Sequence, residues 1–128
     1  MGGCRVIKYA RGTVWFAELP DATDESTHQV AKSRPVLIVS SNNFNLNGST
    51  VTVLPMTTKD RDLPFRVALQ TSNPNKADEI SYVMCDQIRN IDKSKLLTYM
   101  GLITDWEMLE VQKTLCDYLN ITGESVMK

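Results

Sequence analysis

SRPVLIV, residues 33–39, is the stretch whose reading decides the fold. Val36, Leu37, Ile38 and Val39 form a short aliphatic run with no polar alternation, the signature of a strand buried on both faces. The run opens on Arg34, a side chain that stays charged in proteins, and on Pro35, which has no N–H for a ladder. A permanent cation at the mouth of the most apolar strand calls for an explanation.

Working outward, other short β-type runs surround this one. GTVWFAEL (12–19) starts at a glycine turn and is rich in strand formers. A long polar segment, PDATDESTHQVAKS (20–33), separates it from RPVLIVSS (34–41) and is too long for a tight turn. NNFNLNG carries an Asn47-Gly48 turn signal before STVTVLPM (49–56). FRVALQ (65–70) alternates, which predicts Phe65, Val67 and Leu69 on one face. ISYVMCDQI (80–88) and LLTYMGLI (96–103) complete a set of five or six strands. One helix follows. Thr104 and Glu107 form a capping box, and Met108, Val111, Leu115 and Leu119 recur at helical spacing. Glu110, Lys113 and Asp117 fall opposite them, and Asn120 and Gly123 end the element. The expected fold is mainly β: a small barrel or half-barrel with a C-terminal amphipathic helix packed against it.

Composition sets the bounds. The chain has 128 residues, enough for one domain with its own core, and 42% hydrophobic against 23% charged residues is ordinary for a globular protein. No apolar run reaches the ~20 residues of a membrane span, and the start has no secretory core, so a cytoplasmic protein is expected. Cys4, Cys85 and Cys116 are odd in number and lack CxxC spacing, which argues against a disulfide framework; Cys85 and Cys116 read as small core residues. No grouping has metal-ligand spacing, so neither metal nor cofactor is expected. Net charge is −1, which excludes bulk-charge binding of nucleic acid. Residues 1–103 carry 12 basic and 10 acidic side chains, and the remainder 2 and 5, so a polyanion site belongs to the first part.

Three segments place reactive side chains beside buried strands. They are His28 with Arg34, Thr57 and Thr58 in PMTTKD (55–60), and Asp86, Gln87, Arg89 and Asp92 in CDQIRNID (85–92). Each has a structural reading: a strand-edge charge, a strand-end threonine, aspartates bonding turn amides, a solvated loop histidine.

Their order decides between these readings. Arg11-Gly12, then Arg34-Pro35-Val36-Leu37-Ile38-Val39, then Thr57, then Asp86-Gln87-Ile88-Arg89 with Ile91-Asp92, resembles the MazF/PemK family of toxin endoribonucleases from Arg11 to Leu119. The resemblance implies a Src-homology-3-like β-barrel with a C-terminal helix, over a single domain at 11–122 with an extension at 1–10 and a tail at 123–128. It implies a homodimer that cuts single-stranded RNA without metal. It also implies a cognate antitoxin whose flexible acidic tail occupies the RNA groove, with DNA reached only through that antitoxin. By the same resemblance Arg34 and Thr57 are catalytic, joined by Asp86 and His28 as in the PemK/Kid branch. Gln29, Lys32, Thr58, Lys59, Gln87 and Arg89 are the candidates for substrate binding. Where that branch carries an arginine two positions before the aspartate, this chain has Met84, and Lys32, Lys59 and Arg61 are the cations that could or could not replace it. A binding protein on the same fold, catalytically silent or a CcdB-like gyrase inhibitor, is the alternative expectation.

Overall fold

The computed structural model describes residues 7–19, 32–70 and 80–122. Their elements are β1 (Thr13–Leu19), β2 (Lys32–Ile38), α1 (Asn42–Asn47), β3 (Thr50–Thr57), β4 (Arg66–Gln70), β5 (Ile80–Met84), β6 (Arg89–Asp92), β7 (Leu96–Leu102) and α2 (Asp105–Leu119). A single 3₁₀ turn at Cys85–Gln87 separates β5 from β6, and a second at Lys93–Lys95 leads into β7. All pairings are antiparallel in one seven-stranded sheet ordered β4-β5-β3-β2-β1-β7, with β6 also on β3. This is the barrel-like mainly-β class with a C-terminal helix that the sequence pattern predicts.

β2 lies at the centre of the sheet because both of its faces are apolar. Val36, Leu37 and Ile38 are wholly buried, each contributing roughly 1.5–3 kcal/mol of transfer free energy. The pleat sends them to two different layers. Leu37 joins Leu54, Met56, Val67, Leu69, Val83 and Cys85 beneath Met108 and Val111 of α2. Val36 and Ile38 join Trp15, Ala17, Leu19, Val51, Val53, Ile91 and Leu96 on the opposite face.

β5, the 3₁₀ turn and β6 together form one interrupted strand running along β3. Met56 pairs with Val83 and Thr57 with Tyr82, but Val53 pairs with Arg89 and Thr50 with Asp92. The turn at Cys85–Gln87 absorbs the change of register and lifts Asp86 out of the ladder.

Several details depart from the sequence pattern. β6 is a strand where only a polar segment was expected, and NNFNLN forms the short α1, capped by the Ser41 hydroxyl, rather than a simple turn. Phe65 does not continue the face of Val67 and Leu69: its φ of +62° turns it out to stack edge-on against Tyr118 at 5.2 Å. In α2, Met108 and Val111 are buried and Leu115 packs against the layer, but Leu119 at the end of the helix is exposed. Cys85 is buried as expected, whereas Cys116 is only partly covered; Cys4 and Gly123 lie outside the described residues. The capping box is present in full, with Thr104 Oγ1 accepting from the Glu107 amide at 3.1 Å and Glu107 Oε1 accepting from the Thr104 amide at 2.9 Å. Asn120 ends the helix in the left-handed conformation.

Arg11-Gly12 serves the fold. The Arg11 guanidinium donates to the Val39 carbonyl at 3.0 Å and to Gln112 Oε1 at 2.8 Å, tying α2 to the end of β2. Gly12 adopts φ +91°, a conformation that disfavours a Cβ, while its amide and carbonyl bond Ile38 and Ile103.

Candidate active site

The site follows from where β2 and β3 part. Their register runs Ile38↔Val53, Leu37↔Leu54, Val36↔Pro55 and stops there. Pro55 has no N–H to donate, and β3 beyond it pairs with β5 on its other side. Counting two residues further along each strand sets Arg34 against Thr57, just past the last rung. Alternation assigns both to one face. Arg34 shares a side of β2 with Val36 and Ile38 and lies opposite Ala17 of β1. Thr57 shares a side of β3 with Val51 and Val53.

The same face continues across the sheet. Thr57 is opposite Tyr82 on β5, Tyr82 opposite Ala68 on β4, and Arg66 opposite Met84. Asp86, in the turn that follows, completes the row through an ion pair with Arg66, Nη2 to Oδ1 at 3.8 Å. That separation exceeds a hydrogen bond, so neither partner is spent on the other. The Nε atoms of Arg34 and Arg66 and Oδ1 of Asp86 are all buried and take no hydrogen bond. Leaving such a group unsatisfied costs roughly 1–3 kcal/mol, more when it is charged. Two guanidiniums and one carboxylate are thus held partly buried at one sheet end with bonding capacity in reserve.

Neighbouring groups are fixed by the chain itself. Thr57 Oγ1 accepts from the Lys59 amide at 3.2 Å, which leaves its O–H to donate elsewhere. Burial first, and then the nearby Asp60 carboxylate, hold the Tyr82 phenol above its ordinary pKa. Burial also pushes the Cys85 thiol up to about 11, with the charge of Asp86 adding to the rise and Arg66 opposing it. Cys85 is therefore a neutral core group beneath the site and no nucleophile at neutral pH.

The remaining sequence-predicted residues are distributed around this row. Thr58 and Lys59 follow β3 and are exposed, as is Gln87 beside Asp86. Arg89 lies on the same face opposite Val53, four residues or ~13 Å along β3 from Thr57. Lys32 opens β2 opposite Leu19. His28 and Gln29 lie outside the described residues. Arg66 was not among the candidates. In FRVALQ an arginine between apolar positions reads as the solvent side of an edge strand, and only the pairing of β4 with β5 brings it to Asp86. Within reach of sequence was its parity with Ala68 and Gln70, opposite to Val67 and Leu69.

The comparisons with known proteins agree with this architecture. The family model for the PemK-like, MazF-like toxin of type II toxin-antitoxin systems matches residues 10–119. A probable endoribonuclease MazF of Mycolicibacterium smegmatis is 31% identical over 93 residues, 72% of this chain and 84% of that protein. An endoribonuclease MazF of Staphylococcus saprophyticus is 28% identical over 107 residues, 82% of this chain and 86% of its own length. Among solved structures, a mycobacterial endoribonuclease in complex with its cognate antitoxin superposes with a TM-score of 0.70 at 28% identity, covering 88% of this chain and 96% of that one. With the family model spanning residues 10–119 and a solved relative superposing over most of both chains, the chain belongs to the PemK-like, MazF-like toxins of type II toxin–antitoxin systems.

Proposed function

We infer that this toxin is an endoribonuclease that cuts single-stranded RNA by intramolecular transesterification, with Arg34, Thr57, Asp86 and His28 as its reactive groups. The observation that carries the reading is the juxtaposition of Arg34 and Thr57 on one sheet face where the β2–β3 ladder ends, with the open carboxylate of Asp86 in the same row. Relatives named endoribonuclease support the reaction class.

In this reading the ribose 2′-oxygen attacks the adjacent phosphorus while its proton passes to the Asp86 carboxylate. The new P–O2′ bond forms as the P–O5′ bond breaks, and the departing 5′-oxygen takes a proton from the His28 imidazolium. The products are a 2′,3′-cyclic phosphate and a 5′-hydroxyl. Negative charge grows on the non-bridging oxygens, and the Arg34 fork and the Thr57 hydroxyl donate to them. Arg34 keeps its proton throughout, so its part is electrostatic. Gln29, Lys32, Thr58, Lys59, Gln87 and Arg89 would contact flanking nucleotides.

Type II context and the antitoxin-bound neighbour support a cognate antitoxin that competes for the RNA face. A second copy of the chain is the other proposed partner. Among the described residues β7 has only β1 beside it, and Leu97, Tyr99 and Leu102 along it are exposed, an edge suited to an isologous contact.

The test is incubation of purified protein with single-stranded RNA in EDTA, followed by mapping of both new ends. Cyclic-phosphate and 5′-hydroxyl ends are expected. Intact RNA at stoichiometric protein would sink the enzyme reading and favour a binding toxin on the same fold.

A further inference from the structure

We propose that Arg66 is a second phosphate-binding residue of this site, taking the phosphodiester next to the scissile one, so that the substrate must be an RNA with consecutive phosphates. The inference rests on the endoribonuclease reading and specifies its substrate contact.

Three observations carry it. First, Arg66 occupies the same sheet face as Arg34 and Thr57, reached by counting β2, β3, β5 and β4 in order. Arg34 and Arg66 are therefore three strand spacings apart and offset by two residues along the strands, ~16 Å between backbones in a flat sheet. Curvature toward the face shortens this, yet two guanidiniums so placed are set for neighbouring phosphates better than for one. Secondly, the Arg66 side chain is only 15% exposed, and its Nε is buried with no acceptor. A buried donor of this kind lacks only an anionic oxygen. Thirdly, the ion pair of Arg66 with Asp86 is loose at 3.8 Å, so the guanidinium keeps donors for a ligand.

Linkage selects a polyphosphodiester among anions. Asp86 stands beside Arg66 and repels any single anion, carboxylate or phosphate alike, that arrives without a second anchor. A polyanion anchored at Arg34 and Thr57 delivers its next phosphate to Arg66 at little further entropic cost. Met84, the cross-strand partner of Arg66, is apolar and 4% exposed, so it brings no competing acceptor.

The experiment measures binding of an RNA oligonucleotide carrying a 2′-O-methyl group at the cleaved nucleotide, across a series of NaCl concentrations, beside cleavage of the unmodified RNA. Arg66→Gln should weaken binding roughly tenfold and lower the slope of log K against log salt by ~0.7, the value for one phosphate contact on a single strand. A methylphosphonate scan of the same RNA should find one flanking phosphate whose neutralisation weakens the wild type about tenfold and leaves Arg66→Gln unaffected. Should Arg66→Gln fail to fold, the scan on wild type stands alone: sensitivity confined to the scissile phosphate overturns the proposal. An unchanged slope for Arg66→Gln, with RNA cleaved normally by the wild type, also overturns it and spares the endoribonuclease reading. A wild type that never cleaves RNA removes that reading instead.

Discussion

Arg34 is kept at a cost to the folded chain. Its Nε is buried without an acceptor, although a glutamine or methionine could cover Ala17 from the same position. A side chain retained against stability points to a ligand. Arg34→Gln should therefore leave thermal stability equal or higher while lowering single-turnover RNA cleavage about 10²–10³-fold, the effect of removing one preorganised electrostatic donor. Loss of rate together with a large fall in melting temperature would instead make Arg34 a structural residue. Cys85 supplies a pH test of the buried layer below. Its folded pKa is about 11 against an ordinary value of 9.0, so the folded state holds the thiol proton that the unfolded chain releases. Stability from this group is fully present below pH 9 and is lost as pH rises toward 11. Denaturation followed by circular dichroism should show that decline, and Cys85→Ala should remove the part due to the thiol.

Elements differ in how much of them is written locally. α2 was legible to the residue at its start because a capping box is a short-range device: Thr104 and Glu107 satisfy each other's amides with no help from the sheet. Thr104→Ala should cost about 1 kcal/mol in chemical denaturation, and Thr104→Ser much less. Its far end was less legible, since helical spacing puts Leu119 on the apolar face but cannot say that the last turn is left exposed. β2 was legible because its apolar run has no other fate. Phe65 was misplaced because alternation assumes extended backbone, and its positive φ arises from the loop before β4 and the ring of Tyr118. β6 escaped notice because four residues alternating Arg89, Asn90, Ile91 and Asp92 look polar until β3 provides their partner.

At the scale of the molecule, the site exists only through pairings distant in sequence. Arg34, Thr57 and Asp86 stand out in the sequence by type and order as candidates, and their placement toward one end of the sheet depends on β3 pairing with β2 on one side and β5 on the other. Arg66 was invisible in the sequence for the same reason, since nothing in FRVALQ tells which strand will lie beside it. The exposed β7 edge predicts self-association: sedimentation should give twice the 14.4 kDa chain mass, and charged substitutions at Leu97 and Tyr99 should return it to the monomer. The central claim is that one sheet face, where β2 and β3 diverge, holds the reacting phosphate. A crystal structure with the 2′-O-methyl oligonucleotide tests it most directly. The account predicts the scissile phosphate within hydrogen-bonding distance of both the Arg34 guanidinium and the Thr57 hydroxyl, with Asp86 facing the blocked 2′-oxygen; RNA bound on another surface, with those three groups untouched, would contradict it.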